Sequence, residues 1–100
     1  MIIGIFRSRL RETGTEDYPA VAERMVELVA RVPGFRGIKS FAAEDGERVS
    51  IFEFESLAAL DSWKRDAEHL VAQRRGREEF YESYELQICQ PLRTSHFQRD

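Results

Sequence analysis

The segment FRGIKSFAAEDGERVSIFEFE, Phe35 to Glu55, decides the fold. Its two arms, Phe35–Ala43 and Arg48–Glu55, place Ile, Val and Phe at alternating positions, the two-residue period of a strand whose side chains point to opposite faces. Between them lies Glu44-Asp45-Gly46-Glu47, and an Asp-Gly pair suits the positive φ angles of a two-residue type I′ hairpin. With Asp45 and Gly46 as the loop, Glu44 pairs with Glu47. Counting outward sets Phe41 opposite Ser50, Lys39 opposite Phe52 and Gly37 opposite Phe54. The other face of the hairpin then holds Ile38, Ala42, Val49, Ile51 and Glu53.

Upstream, Ile2 to Leu10 alternates in the same way, with Ile3 and Ile5 on one face and Ile2, Phe6 and Leu10 on the other. Gly14 and Thr15 end that strand. Tyr18, Val21, Ala22, Met25, Leu28, Val29 and Val32 then recur every three or four residues, the stripe of an amphipathic helix. Thr15 or Asp17 can cap it, Pro19 is tolerated in its first turn, and Pro33-Gly34 stops it. Downstream, Ser56 caps a short helix with Leu57, Leu60 and Trp63, and Asp66 caps a second piece with Ala67, Leu70 and Val71, limited by Gly76. Tyr84, Leu86 and Ile88 alternate with Glu85 and Gln87 in a last strand that Pro91 ends.

This order is α+β, a ferredoxin-like βαββαβ arrangement with a four-stranded antiparallel sheet. One domain spans residues 1–92, followed by a polar tail, 93–100. Right-handed crossovers put both helical segments on one face of the sheet. The other face is apolar too, and leaving each large side chain there in water costs about 1.5–3 kcal/mol, so a homodimer is expected to cover it.

Composition narrows the classes of function. Of 100 residues, 42% are hydrophobic and 33% charged, as in an ordinary globular domain. Fifteen Lys and Arg against 18 Asp and Glu give a net charge of -3, which argues against nucleic-acid binding by bulk phosphate attraction. The apolar start is interrupted by Arg7 and Arg9, too early for a spanning helix or secretory signal, so neither a membrane partner nor export is expected and the location reads as cytoplasmic. With Cys89 alone and only His69 and His96 beside it, neither a disulfide nor a structural metal site is expected. No Gly-rich phosphate loop or dinucleotide fingerprint appears.

Few residues can carry chemistry. Trp63 ends the short helix, and His69 and Gln73, four apart, share a helix face, which makes them a candidate pocket wall. Composition alone favours the plainer reading, Trp63 as a core aromatic and His69 as a surface or half-buried residue. Arg74, Arg75 and Arg77, with Lys64 and Arg65 nearby, form the densest positive stretch and offer forked hydrogen bonds to a ligand carboxylate or phosphate. Helical pairing of Arg74 with Glu78 and Arg75 with Glu79 accounts for the same residues without a ligand. Ser8 shares the strand face of Phe6, its hydroxyl able to donate or accept.

Val32-Pro33-Gly34-Phe35-Arg36-Gly37, the block around Trp63, and Ala72 through Tyr84 resemble the antibiotic biosynthesis monooxygenase family of the dimeric α+β barrel superfamily, up to about Leu92. The resemblance implies a homodimer whose sheets meet across the open apolar face, with a pocket between helices and sheet in each subunit. Some relatives oxidise polycyclic phenols with O2 and no cofactor, the deprotonated substrate supplying the electrons. Others take haem as a substrate and open its ring, using an Asn on the first strand, a Trp on the second helix and a His about three turns further on. Trp63 matches that Trp. Ser8 stands at the Asn position, Gln73 falls near the His position, and His69 lies one turn before it.

The sequence thus points to a monooxygenase acting on a planar aromatic molecule. In that reading Trp63, His69 and Ser8 are catalytic, and Phe6, Trp63, Gln73 and Arg77 hold the substrate. No cofactor is expected, haem being a ligand or substrate if it binds at all. The alternative is a non-catalytic dimer that binds a haem-like or apolar small molecule.

Overall fold

Ile2–Leu10 forms β1, Tyr18–Val29 α1, Phe35–Ala42 β2, Arg48–Phe54 β3, Leu57–Lys64 α2, Ala67–Arg75 α3 and Tyr81–Cys89 β4, in a computed structural model that describes residues 1–100. The strands make one antiparallel sheet in the order β2-β3-β1-β4. This is the expected ferredoxin-like topology, and no residue beyond Cys89 is in a helix or strand. No helix is long and apolar enough to cross a membrane.

The central hairpin differs from the two-residue turn that Asp45-Gly46 suggests. Ala43 N–H donates to the Glu47 carbonyl at 2.8 Å, which leaves Glu44, Asp45 and Gly46 as a three-residue loop. Only Gly46 takes a positive φ, 92°. A type I′ turn needs two such residues, whereas a type I turn closed by one left-handed glycine needs a single one. Asp45 secures this alternative, since its Oδ1 accepts from Glu47 N–H at 3.0 Å while Arg9 holds its backbone carbonyl at 3.0 Å and its Oδ2 at 2.8 Å.

The one-residue change moves β2 by a full face. Ser40 now lies opposite Ser50, Ile38 opposite Phe52 and Phe41 opposite Val49. Ile38, Ser40, Ser50, Phe52 and Phe54 therefore share the helix side with Ile2, Phe6 and Ser8, while Phe41, Val49 and Ile51 share the open side with Ile3 and Ile5.

All three helices lie on the first of these faces. Ile2, Val29, Phe54, Leu60 and Trp63 form the core cluster, with Met25, Leu28 and Phe35 packed against it. Ser56 caps α2 as expected, accepting Ala59 N–H at 3.2 Å, and Asp66 caps α3, accepting His69 N–H at 3.0 Å. Asp17 occupies the cap position of α1 but makes no capping bond. Its carboxylate instead takes Arg75 Nη2 at 3.0 Å, tying the start of α1 to the end of α3.

Gly76 does not end the third helical piece. The chain continues through a π-helical turn, Gly76–Phe80, that runs directly into β4. A side chain at position 76 would put its Cβ 2.7 Å from the Tyr81 ring, so the glycine is where that ring lies against the turn. The apolar positions of α3 also face the other way from expectation. Leu70 and Val71 remain 50% and 49% exposed, and the helix turns His69, Ala72 and Gln73 toward the sheet.

Candidate functional site

Between the helices and the sheet lies a cleft of about 370 Å³, and 19 of its 26 lining residues are hydrophobic. That size and lining suit an apolar small molecule oriented by a few polar groups. The floor comes from alternate residues of the sheet. One wall comes from α1, and the opposite wall from the end of α2 and from α3.

Two caps position the second wall. Because Ser56 and Asp66 each restart the helix, the chain bends between Trp63 and Ala67 and brings the His69 ring back over Trp63. The rings stack with centroids 4.1 Å apart and 17° between planes. His69 Nδ1 lies 3.1 Å from the Trp63 carbonyl oxygen. A carbonyl can only accept, so Nδ1 carries the proton and the neutral ring keeps its lone pair on Nε2. Burial lowers the His69 pKa from 6.5, outweighing the Trp63 carbonyl and the Asp66 carboxylate, which both favour the charged ring. At neutral pH His69 is an uncharged base with one nitrogen committed.

Ser8 lines the floor of the same cleft. It is 4% exposed, and its hydroxyl makes no hydrogen bond within the protein and is not sealed away. Its cross-strand partners are Arg48 on β3 and Tyr84 on β4. Gln73, one turn beyond His69, also lines the cleft, as do Phe6 and Trp63. Five of the six residues singled out from sequence are thus brought together. The sixth, Arg77, lies exposed in the π turn and does not border the cleft. Of the two helical pairs foreseen in the basic stretch, Arg75–Glu79 forms, with contacts of 2.8 and 3.1 Å.

The sequence reading missed an aromatic group at the β4 end. Phe6 packs edge to face against Tyr81 at 5.5 Å and tilted against Tyr84 at 5.4 Å, and Tyr18 meets Tyr81 at 5.8 Å and Phe80 at 5.6 Å edge to face, spacings at which aromatic rings attract. Burial first, and the adjacent Tyr18 hydroxyl second, push the Tyr81 phenol well above its ordinary pKa, so it stays a neutral donor. Also missed were Arg48, whose guanidinium lies 5.8 Å from the Tyr18 ring centroid, and the Ser40–Ser50 hydroxyl pair, 2.7 Å apart. The tyrosines were visible only as a helix stripe and a strand alternation. Placing them in one wall requires the π turn, which no sequence signal announced.

An antiparallel βαββαβ sheet with helices on one face and an aromatic-lined cleft beneath them defines a ferredoxin-like α+β fold. Residues 1–75 match the model of the antibiotic biosynthesis monooxygenase family, and the chain belongs to that family. It is 36% identical over 96 residues to the Bacillus subtilis (strain 168) protein YqjZ, described as uncharacterized, covering 96% of this chain and 83% of that one. Among solved structures, Rv0793 from Mycobacterium tuberculosis superimposes with a TM-score of 0.80 at 20% identity, over 95% of this chain and 98% of that one. SnoaB, a cofactor-independent oxygenase from Streptomyces nogalater, superimposes with a TM-score of 0.77 at 17% identity, over 93% and 94%. At these identities the structural matches establish the fold.

Proposed function

We propose that this chain is a cofactor-independent monooxygenase that uses O2 to oxidise a planar, hydroxylated aromatic molecule held in the cleft. The observation that carries this reading is the state of His69: neutral, stacked on Trp63, its Nδ1–H bound to the Trp63 carbonyl and its Nε2 free to accept a proton. A base with no competing carboxylate in the cleft wall suits abstraction of a phenolic or activated C–H proton. The family and the oxygenase described for SnoaB agree with it.

The electrons then come from the substrate. Nε2 takes a proton, and the resulting anion passes one electron to O2. The radical and superoxide join in a C–O bond to give a peroxide. Loss of the second hydrogen at that carbon as a proton forms the carbonyl, breaks the O–O bond and expels hydroxide, which leaves as water. One CH2 and one O2 become one C=O and one H2O, with no outside reductant. Ser8 and Gln73 orient the polar edge of the substrate, and Trp63 and Phe6 hold its ring faces.

The same reading has two copies of the chain joined across the open sheet face. Only 9 of 100 residues are buried in the single chain, and Phe41 and Ile51 stand 51% and 39% exposed on the face without helices. Arg7 and Arg9, paired with Glu47 and Asp45, give that patch a polar rim. Sedimentation is expected to show a dimer that Ile51→Lys dissociates.

Oxygen uptake measured against a panel of hydroxylated polycyclic aromatics tests the activity. Turnover that fails in His69→Ala is expected. Tight binding with no oxygen consumed makes the protein a ligand carrier instead, and a Soret shift on titration with haem would identify haem as its cargo or substrate.

A further inference from the structure

The charge around the cleft is selective. The chain carries 18 Asp and Glu against 15 Lys and Arg, yet no acidic side chain borders the cleft, while Arg48 and Lys64 both do. Four other arginines, Arg7, Arg9, Arg24 and Arg75, are neutralised by carboxylates within 4.0 Å, and Arg48 is not. Its sequence neighbour Glu47 is drawn instead to Arg7, at 3.0 Å on the opposite face of the sheet. Arg48 is held in place by the Tyr18 ring and lies across from Ser8, the 4% exposed residue whose hydroxyl has no protein partner. A forked guanidinium, the Ser8 hydroxyl and the paired hydroxyls of Ser40 and of Ser50, which lies two residues along β3 from Arg48, make one end of an otherwise apolar cleft polar.

We infer that the cleft selects an aromatic substrate bearing a carboxylate, with Arg48 and Ser8 as the residues that hold the carboxylate and the aromatic body lying toward Trp63. This rests on the reading of the cleft as the substrate site and names the class of substrate it takes. A planar carboxylate can meet the guanidinium with two parallel hydrogen bonds, which a neutral ring substituent cannot do. The Ser8 hydroxyl, across the strand pair from Arg48, can donate to the same carboxylate. Fixing one end of the molecule also fixes which ring atom comes under His69, so the same contact sets the position oxidised.

The molecule supplies its own probe, because Trp63 is the sole tryptophan and lines the cleft. Quenching of its fluorescence gives the affinities of hydroxynaphthoate and of hydroxynaphthamide, which match in shape and differ in charge. The intact protein is expected to bind the acid about tenfold more tightly, the scale of a charge-assisted hydrogen bond at a partly exposed site. Arg48→Gln is expected to abolish that preference while leaving the amide's affinity unchanged, so the amide also reports that the variant is folded. Arg48→Lys is expected to restore part of the preference, and Ser8→Ala to weaken binding of the acid more than of the amide. Equal affinities in the intact protein, a preference that survives in Arg48→Gln, or no binding of the acid would each overturn the inference. Oxygen uptake is measured on both compounds in parallel. A preference for the acid with no oxygen consumed upholds the carboxylate site and removes the oxygenase, whereas equal affinities with oxygen consumed do the reverse.

Discussion

Replacing His69 with Gln keeps a side chain of similar reach against Trp63 and removes the only residue of the cleft wall whose ordinary pKa lies near neutrality. A positioned general base contributes about 100- to 10,000-fold, or about 2.7 to 5.4 kcal/mol of barrier, so kcat/KM is expected to fall by that factor. The pH profile is more specific than the loss. Burial holds the His69 pKa below 6.5, so the base form persists beneath that value and the acid limb of kcat/KM has its midpoint below 6.5. In the unfolded chain the ring takes up its proton at higher pH than in the fold. The contribution of neutral His69 to stability is therefore complete above pH 6.5 and is lost as the pH falls from there toward the lowered folded pKa. Oxygen-electrode rates on an active phenol over a pH series measure the limb, and nitrogen-detected NMR of the imidazole reports whether the proton sits on Nδ1. An acid limb unchanged in His69→Gln, a midpoint at or above 6.5, or a ring protonated on Nε2 alone would refute the assignment of Nε2 as the base.

Three further substitutions test how the site is supported. Phe54 is wholly buried beneath the cleft, so Phe54→Ala is expected to cost about 3–5 kcal/mol, read from urea unfolding; a loss under about 1 kcal/mol would show that the core lies elsewhere. Asp66→Ala removes the cap that starts α3 and is expected to cost about 1 kcal/mol, whereas Asp66→Asn retains the cap and most of the stability; equal losses would contradict the capping role. Gly46→Ala forces a Cβ into a left-handed position at φ 92° and is expected to cost about 1–2 kcal/mol by thermal melting, with Gly46→Asn milder; an unchanged melting temperature in Gly46→Ala would contradict the three-residue loop.

The element order was legible because each strand and helix carries its own period and its own punctuation. Ser56 and Asp66 cap as the sequence suggests, and His69 and Gln73 share the helix face that their spacing of four requires. The hairpin register was not legible, because Asp-Gly serves both a two-residue and a three-residue loop. The three-residue loop is held by the Asp45 carboxylate on Glu47 N–H and by Arg9, 36 positions away, which grips Asp45 through its backbone carbonyl and its carboxylate. A contact so distant leaves no local mark. Its consequence reaches the site, since the one-residue change brings Ser40 to the helix side beside Ser50.

The helical wall of the cleft shows a related conflict between local pattern and tertiary packing. By hydrophobicity alone α3 should bury Leu70 and Val71, yet it leaves both half-exposed and presents His69 and Gln73 instead. The helix is only nine residues long, so its rotation is set mainly by what anchors its first turn. Here that turn is held by the Asp66 cap, by the stack of His69 on Trp63 and by the Nδ1–H bond to the Trp63 carbonyl. That carbonyl already accepts the Asp66 N–H at 3.1 Å, so a single backbone oxygen fixes both the bend before α3 and the proton position on its histidine. The orientation that exposes two apolar residues is thus the one that aims a neutral imidazole at the cleft. Freeing α3 from this anchor would let Leu70 and Val71 turn inward and carry His69 out of reach of a bound ligand. Removing the Trp63 ring is therefore expected to cost activity through the placement of His69 as well as through lost contact with the substrate.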